Sequence, residues 1–281
     1  MKQNSLVLRP LAIILICTLV TSCAHQYHTV STLPTNYSKE EIELGEAINR
    51  QVLQTVPVCQ DAQLNQYVQS IGERLAAVAE RRDFPYRFVI LQDGRIYATR
   101  APGGYVYLTT GFFRSLQNES ELAAVLAYEI GSLQYKDPRL SKLKKAFELL
   151  LQTGSAVGPA FGSIGGLAVL GLALADNFIV PEKSAERQTY DADKRALRYM
   201  TESGYDPQGL IDLLRRLKDP RSSDRPYLYD FLQSHPISTE RFQRLDRAFY
   251  SLPLANKQFE TRRDVFLSMT ESLRSSFQKV K

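Results

Sequence analysis

The sequence predicts an α+β domain that is mostly helical, with one small β-sheet beside a central helix. Three observations carry this. Apolar residues recur at helical spacing over most of the chain. One stretch, Tyr86 to Thr109, changes to β-branched and aromatic residues broken by turn signals. A third stretch, Glu121 to Gln134, is helical by pattern and carries a lone carboxylate, Glu129, on or beside its apolar stripe.

Met1 to Ser22 has the form of an export signal. Lys2 and Arg9 make a basic start and Leu11 to Val20 an apolar core. Val20-Thr21-Ser22-Cys23 then resembles a bacterial lipobox, which implies acylation of Cys23 and anchoring through its lipid. The alternative is an uncleaved span, for which the apolar core is short. Ala24 after the cysteine implies the periplasmic face of the outer membrane under the sorting rule of such lipoproteins. The expected organisation is therefore a signal at 1–22, a tether at 23–37, a main domain at 38–255 and a helical tail at 256–281.

Of three cysteines, the mature chain would keep Cys23, acylated, and Cys59. An intramolecular disulfide is then unexpected, and Cys59 reads as a small buried hydrophobe. The net charge of +5 is small and spread out, with no basic run interleaved with aromatics. That argues against a nucleic-acid partner. A hydrophobic content of 44% suffices for a sizeable core.

Ser38 and Glu41 form a capping box for a first helix that runs to about Thr55 before Pro57. Asp61 to Arg82 is a second helix, with Leu64, Val68, Ile71, Leu75 and Val78 on one face. Strands follow at Tyr86–Leu91, Ile96–Thr99 and Tyr105–Thr109, punctuated by Asp93-Gly94 and Pro102-Gly103-Gly104. Asn118 and Glu121 form the capping box of the central helix. Pro138 opens a Lys-rich helix to about Leu151. Residues 153–175 are almost uncharged and rich in glycine. They read as a buried helical hairpin, with a membrane span and a lipid-dipping surface as alternatives. Glu186–Glu202 is helical with Gly204 at C′, and Pro207 starts a helix to about Leu217. Ser238 caps another helix, and Asp264–Gln278 is the last.

Four segments carry a resemblance. They are APGGYVYLTTGFF, NESELAAVLAYEIG, DADKRALRYMTESGYDP and SHPISTERFQRL, in that order. Together they resemble the gluzincin peptidases that include the CAAX prenyl endopeptidase, the bacterial heat-shock membrane peptidase and the periplasmic proteases of outer-membrane quality control. The resemblance covers roughly Ser38 to Leu252 and implies a zincin-like fold. It places the two histidine ligands of the zinc motif H-E-x-x-H on Tyr128 and Ser132, and the third ligand on Thr189. The general base falls on Glu129, and the aspartate of the second site helix on Asp193. The histidine of a loop over the cleft falls on His235. The resemblance also implies a peptide laid along a sheet edge, here Gly104, Tyr105, Val106 and Tyr107.

The frame persists while the metal donors do not. Catalytic zinc takes imidazole, thiolate or carboxylate. Tyr128 is a phenol, protonated near neutral pH, and Ser132 and Thr189 are alcohols. Without zinc, water keeps its high pKa and no Lewis acid polarises a carbonyl. His25 and His28 lie in the tether, so His235 alone is available to a site. No zinc or other cofactor is expected. A nucleophilic set of Ser132, His235 and Glu129 lacks the strained elbow of hydrolase serines. Ser132 reads instead as a helix residue bonding back to its i−4 carbonyl. Glu129 reads as part of a buried network with Asp193, Arg187 or Arg195, and Tyr128 as a ring filling the metal pocket. The expected function is an inactive peptidase homologue that binds an envelope or outer-membrane protein, or a peptide segment, as adapter, chaperone or regulator. The alternatives are an active zinc endopeptidase with unusual ligands and a purely structural lipoprotein.

Overall fold

The computed structural model describes residues 39–81, 85–134, 144–145, 147–148, 182–219, 221, 231–232 and 235–278. The helices named here are α1 Lys39–Thr55, α2 Ala62–Ala76, α3 Phe112–Ser115, α4 Glu119–Ser132, α5 Glu182–Glu202, α6 Gln208–Lys218, α7 Thr239–Tyr250, α8 Arg263–Met269 and α9 Glu271–Gln278. The strands are β1 Arg87–Leu91, β2 Ala98–Ala101 and β3 Tyr105–Thr109. The expectations for Cys23, for the rest of residues 1–37 and for 153–175 lie outside the described residues. Among those described, no helix is long and apolar enough to cross a membrane.

Helix α4 is buried from Glu119 to Gly131. A helix enclosed on every side needs apolar or small residues all round. Leu122, Val125, Leu126 and Ile130 supply the first, and Ala123, Ala124 and Ala127 the second. Its N-terminus is half of the expected capping box. The Asn118 side chain accepts from the Glu121 amide at 3.0 Å. The reciprocal bond goes one residue further out, because Glu121 Oε2 accepts from the Gln117 amide at 2.7 Å. Arg216 Nη1 also binds Glu121 Oε1 at 2.9 Å. At the other end, a Cβ on Gly131 would lie 3.0 Å from the Ala192 carbonyl oxygen, so α4 and α5 meet closely there.

The strand order is β1-β3-β2, with β1 parallel and β2 antiparallel to β3. Period-two alternation divides β3 between two layers. Val106 and Leu108 face the main core with α2 and α4. Tyr105 and Tyr107 face Leu44, Ile48 and Val52 of α1. Gly45 lets α1 close over the turn before β3, since a Cβ there would sit 2.0 Å from the Pro102 carbonyl oxygen. Gly103 and Gly104 take positive φ of 74° and 86° in that turn, a region glycine enters without a Cβ penalty.

Several boundaries move for identifiable reasons. Helix α2 stops at Ala76 rather than near Arg82. The chain beyond it is drawn elsewhere, with the Arg81 amide on Gln134 Oε1 at 2.7 Å. Glu41 pairs with Arg81 at 3.0 Å, and its expected capping partner, Ser38, lies outside the described residues. Strand β2 begins at Ala98 rather than Ile96. The Thr109 hydroxyl takes the Tyr97 amide at 3.0 Å in place of a side-chain-free ladder end. The predicted last helix is two, broken at buried Thr270, whose hydroxyl bonds the Phe266 carbonyl at 2.8 Å. Cys59 is buried with a free thiol.

Candidate functional site

Glu129 is 1% exposed on α4 and has both carboxylate oxygens held. Oε1 lies 3.0 Å from His235 Nε2. Oε2 accepts from Arg100 Nη1 of β2 at 3.2 Å. The other imidazole nitrogen, Nδ1, lies 3.2 Å from the Phe231 carbonyl oxygen. Burial opposes ionisation of Glu129, but His235 and Arg100 outweigh it and hold the carboxyl below its ordinary value.

His235 is fixed from several sides. Its amide donates to the Phe231 carbonyl at 2.8 Å. Its ring stacks on Phe231 at 4.4 Å and 12°. The Tyr128 ring lies 5.2 Å from it, tilted by 59°.

Asp193, on α5, is clamped by Arg241 of α7. Nε and Nη2 of the guanidinium each reach one carboxylate oxygen at 2.8 Å, a fork-on-fork pair. Arg241 Nη1 donates to the Pro236 carbonyl at 3.0 Å, which ties down the loop carrying His235. Its guanidinium also lies 5.2 Å from the centre of the Tyr128 ring. Loss of water works against the Arg241 charge, yet Asp193 raises its pKa above the ordinary guanidinium value. Burial pushes the Tyr128 phenol up, so it is neutral across the physiological range.

The residues present do not suit zinc. Tyr128 is a buried neutral phenol. The Ser132 hydroxyl is spent on the Tyr128 carbonyl at 2.9 Å, the back-bond its sequence position predicts. Thr189 is half-buried on α5, one turn before Asp193. Among the described residues, no group of three or more His, Cys, Asp or Glu side chains is placed to hold a metal ion. Each carboxylate oxygen of Glu129 is thus engaged by a side chain of the chain itself.

Two expectations need correction. The Glu129 network runs through His235 and Arg100, while Arg195 pairs with Glu80 at 3.5 Å and Arg187 is exposed. Arg241 reaches Glu129's neighbourhood through Asp193 instead. The second correction concerns Gly104, Tyr105, Val106 and Tyr107. These lie in or beside β3, whose backbone is paired on both sides, so they form no sheet edge. The Tyr105 and Tyr107 rings stack on each other 6.1 Å apart on the α1 side. The outer strands are β1 and β2. Part of the outer side of β1 is taken by a bridge from Val58 to Leu91.

Arg100 and Arg241 are the site residues that sequence reasoning missed. Arg100 had a signal, as the sole charged residue between Ile96 and Thr109. Arg241 stood in the last of the four matching segments without an assigned partner.

Comparison with known proteins agrees with this frame. The profile of Peptidase family M48 matches residues 62–248. The Beta-barrel assembly-enhancing protease of Escherichia coli (strain K12) is 30% identical over 213 residues, covering 72% of this chain and 42% of that protein. The corresponding protein of Yersinia pestis is also 30% identical over 213 residues, with the same coverage. The Putative beta-barrel assembly-enhancing protease of Vibrio cholerae is 28% identical over 207 residues, again at 72% and 42%. The chain thus spans less than half the length of these curated relatives. With the match extending over more than half of its residues, the chain belongs to peptidase family M48.

Proposed function

We propose that this chain is a non-cleaving member of its family, which binds polypeptide without hydrolysing it. One observation carries the reading. Glu129, the residue in the position of the family's base, has both oxygens engaged by the chain's own His235 and Arg100. The neighbouring ligand positions hold Tyr128, Ser132 and Thr189, which offer no anionic or imidazole donor.

The binding surface in this reading is the outer side of β2, where an extended segment adds as a fourth strand. The relatives' name, Beta-barrel assembly-enhancing protease, supports an outer-membrane β-barrel protein, or its assembly machinery, as the partner. The lipobox supports attachment through Cys23 at the periplasmic face of the outer membrane, with a role as adapter, chaperone or regulator. A second reading, a purely structural lipoprotein, is favoured by the way Arg100 and His235 fill the space over Glu129.

Metal analysis of the purified mature chain, with casein as substrate, tests the loss of catalysis. Less than about a tenth of a zinc per chain and no cleavage are expected. Stoichiometric zinc, with hydrolysis abolished by Glu129→Gln, would overturn the proposal. Hydrogen exchange of β2 amides, with and without an unfolded β-barrel protein, separates the two readings. Slowed exchange at Ala98–Ala101 supports binding, and unchanged exchange supports the structural role.

A further inference from the structure

A second recess lies at the opposite end of α4 from Glu129. Glu119 and Glu129 are ten residues apart, about 15 Å along the helix axis at about 1.5 Å per residue. The recess has a volume of about 370 Å³ and is walled by α2, the start of α4, the segment before α8 and the first turn of α8. Its residues include Arg74, Ile71, Glu119, Arg262 and Val265.

Its floor is fixed. Glu119 is 2% exposed and accepts from the Tyr67 hydroxyl at 2.8 Å and from Arg262 Nη1 at 3.2 Å. Its amide donates to the Thr261 carbonyl at 3.1 Å. Arg262 holds a left-handed backbone, φ 46°, at the lip. A non-glycine residue there is strained, and such strain persists only where the surroundings enforce it. Here the enforcing contacts are Glu119 and Glu260, the latter 3.7 Å from Arg262 Nε.

Arg74 differs from Arg262. Its guanidinium lies over the Tyr205 ring, 5.4 Å from the centre, and has no carboxylate partner among the described residues. A rigid fork of donors held on an aromatic face at the mouth of a recess suits a planar carboxylate. Beside it stand Ile71 and half-exposed Val265, which suit an apolar side chain. The two carboxylates already lining the recess, Glu119 and Glu260, favour a monoanion over a doubly charged phosphate.

We propose that this recess binds the free C-terminal carboxylate of a polypeptide whose last residue is apolar, with Arg74 as the anchor. This site is separate from the Glu129 site and does not depend on β2 binding a strand. Fluorescence anisotropy on the full chain in detergent tests it, using a labelled peptide that ends in leucine with a free carboxylate. Saturable binding is expected. Amidating the terminus and the substitution Arg74→Ala are each expected to weaken it about tenfold or more, and together no further than either alone. Arg74→Lys, which keeps charge but loses the fork, falls between. Arg74 is exposed, and circular dichroism with the melting temperature verifies that the variants fold. Equal binding of the amidated peptide, unchanged binding by Arg74→Ala, displacement by millimolar inorganic phosphate, or absence of binding at millimolar peptide would each overturn the proposal. So would equally tight binding of an amidated peptide with an internal aspartate, which would make the recess a reader of acidic side chains.

Discussion

His235 Nε2 and Glu129 Oε1 lie 3.0 Å apart although 106 residues separate them in sequence. This contact joins the loop before α7 to the last turn of α4. It engages one oxygen of the only carboxylate on the C-terminal half of α4. The following outcomes are expected from it and from its surroundings.

Chelation will leave the fold untouched. A bound metal at about 100 times its Kd would contribute about 2.7 kcal/mol of stability. With no suitable donor set among the described residues, the melting temperature is expected to be the same in EDTA and in excess zinc. Calorimetry measures this directly, and a rise with zinc would contradict the site geometry.

Asp193→Asn will be strongly destabilising. The substitution leaves the buried charge of Arg241, 6% exposed, without its paired carboxylate. Loss of one partner of a buried pair costs about 3–5 kcal/mol. Urea unfolding will report it as a lower midpoint. A loss below about 1 kcal/mol would mean that the clamp is not formed in solution.

Acid will remove part of the stability through Glu129. Its carboxyl is held below the ordinary value, so the folded chain binds that proton more weakly than the unfolded chain does. The contribution is complete above about pH 4.3, the unfolded glutamate value, and is lost as pH falls through the folded value. The difference in unfolding free energy between wild type and Glu129→Gln is therefore expected to narrow below about pH 4.3. A difference that is constant from pH 7 to pH 3 would show that Glu129 is not preferentially ionised.

Gly45→Ala will destabilise, against the usual helical preference for alanine of about 1 kcal/mol. The added Cβ would sit 2.0 Å from the Pro102 carbonyl oxygen, a backbone atom that no rotamer change can move. A net loss of about 1–3 kcal/mol is expected in urea unfolding. Unchanged or raised stability would mean that α1 rides higher above the turn.

Tyr128→His, Ser132→His and Thr189→Glu in one chain will regain about one zinc, because residues 128 and 132 share a face of α4. Metal analysis measures the gain, with wild type as the blank. Failure to take up zinc would undo the assignment of those three positions.

The sequence made the local features legible. The Asn118 cap, the α2 face from Leu64 to Leu75 and the Ser132 back-bond each depend on residues within a turn or two of one another. The four short segments also marked the family. Strand order was not legible, because the pattern of Tyr105 to Thr109 is the same for a central strand as for an edge. Pairing with β1 and β2 decided it. Arg100 was hidden for a related reason. Alternation assigns it a face of β2, but only the docking of α4 shows that Glu129 lies opposite. The Glu41–Arg81 pair was hidden in the same way, since 40 residues separate its partners and only tertiary packing brings them together.

The Glu41–Arg81 bridge also bears on how the molecule comes apart. Arg81 Nη1 reaches the Leu133 carbonyl at 3.3 Å just past α4, so one guanidinium fastens the first helix to the end of the innermost one. Peeling away α1 would strand Glu41 and Arg81, open the Tyr105–Tyr107 layer and lift the turn that Gly45 admits. The first helix is thus not a detachable flap. A protease that nicks the chain within Lys39–Thr55 has to wait for nearly global opening, and its cleavage rate will follow the unfolding equilibrium of the whole body.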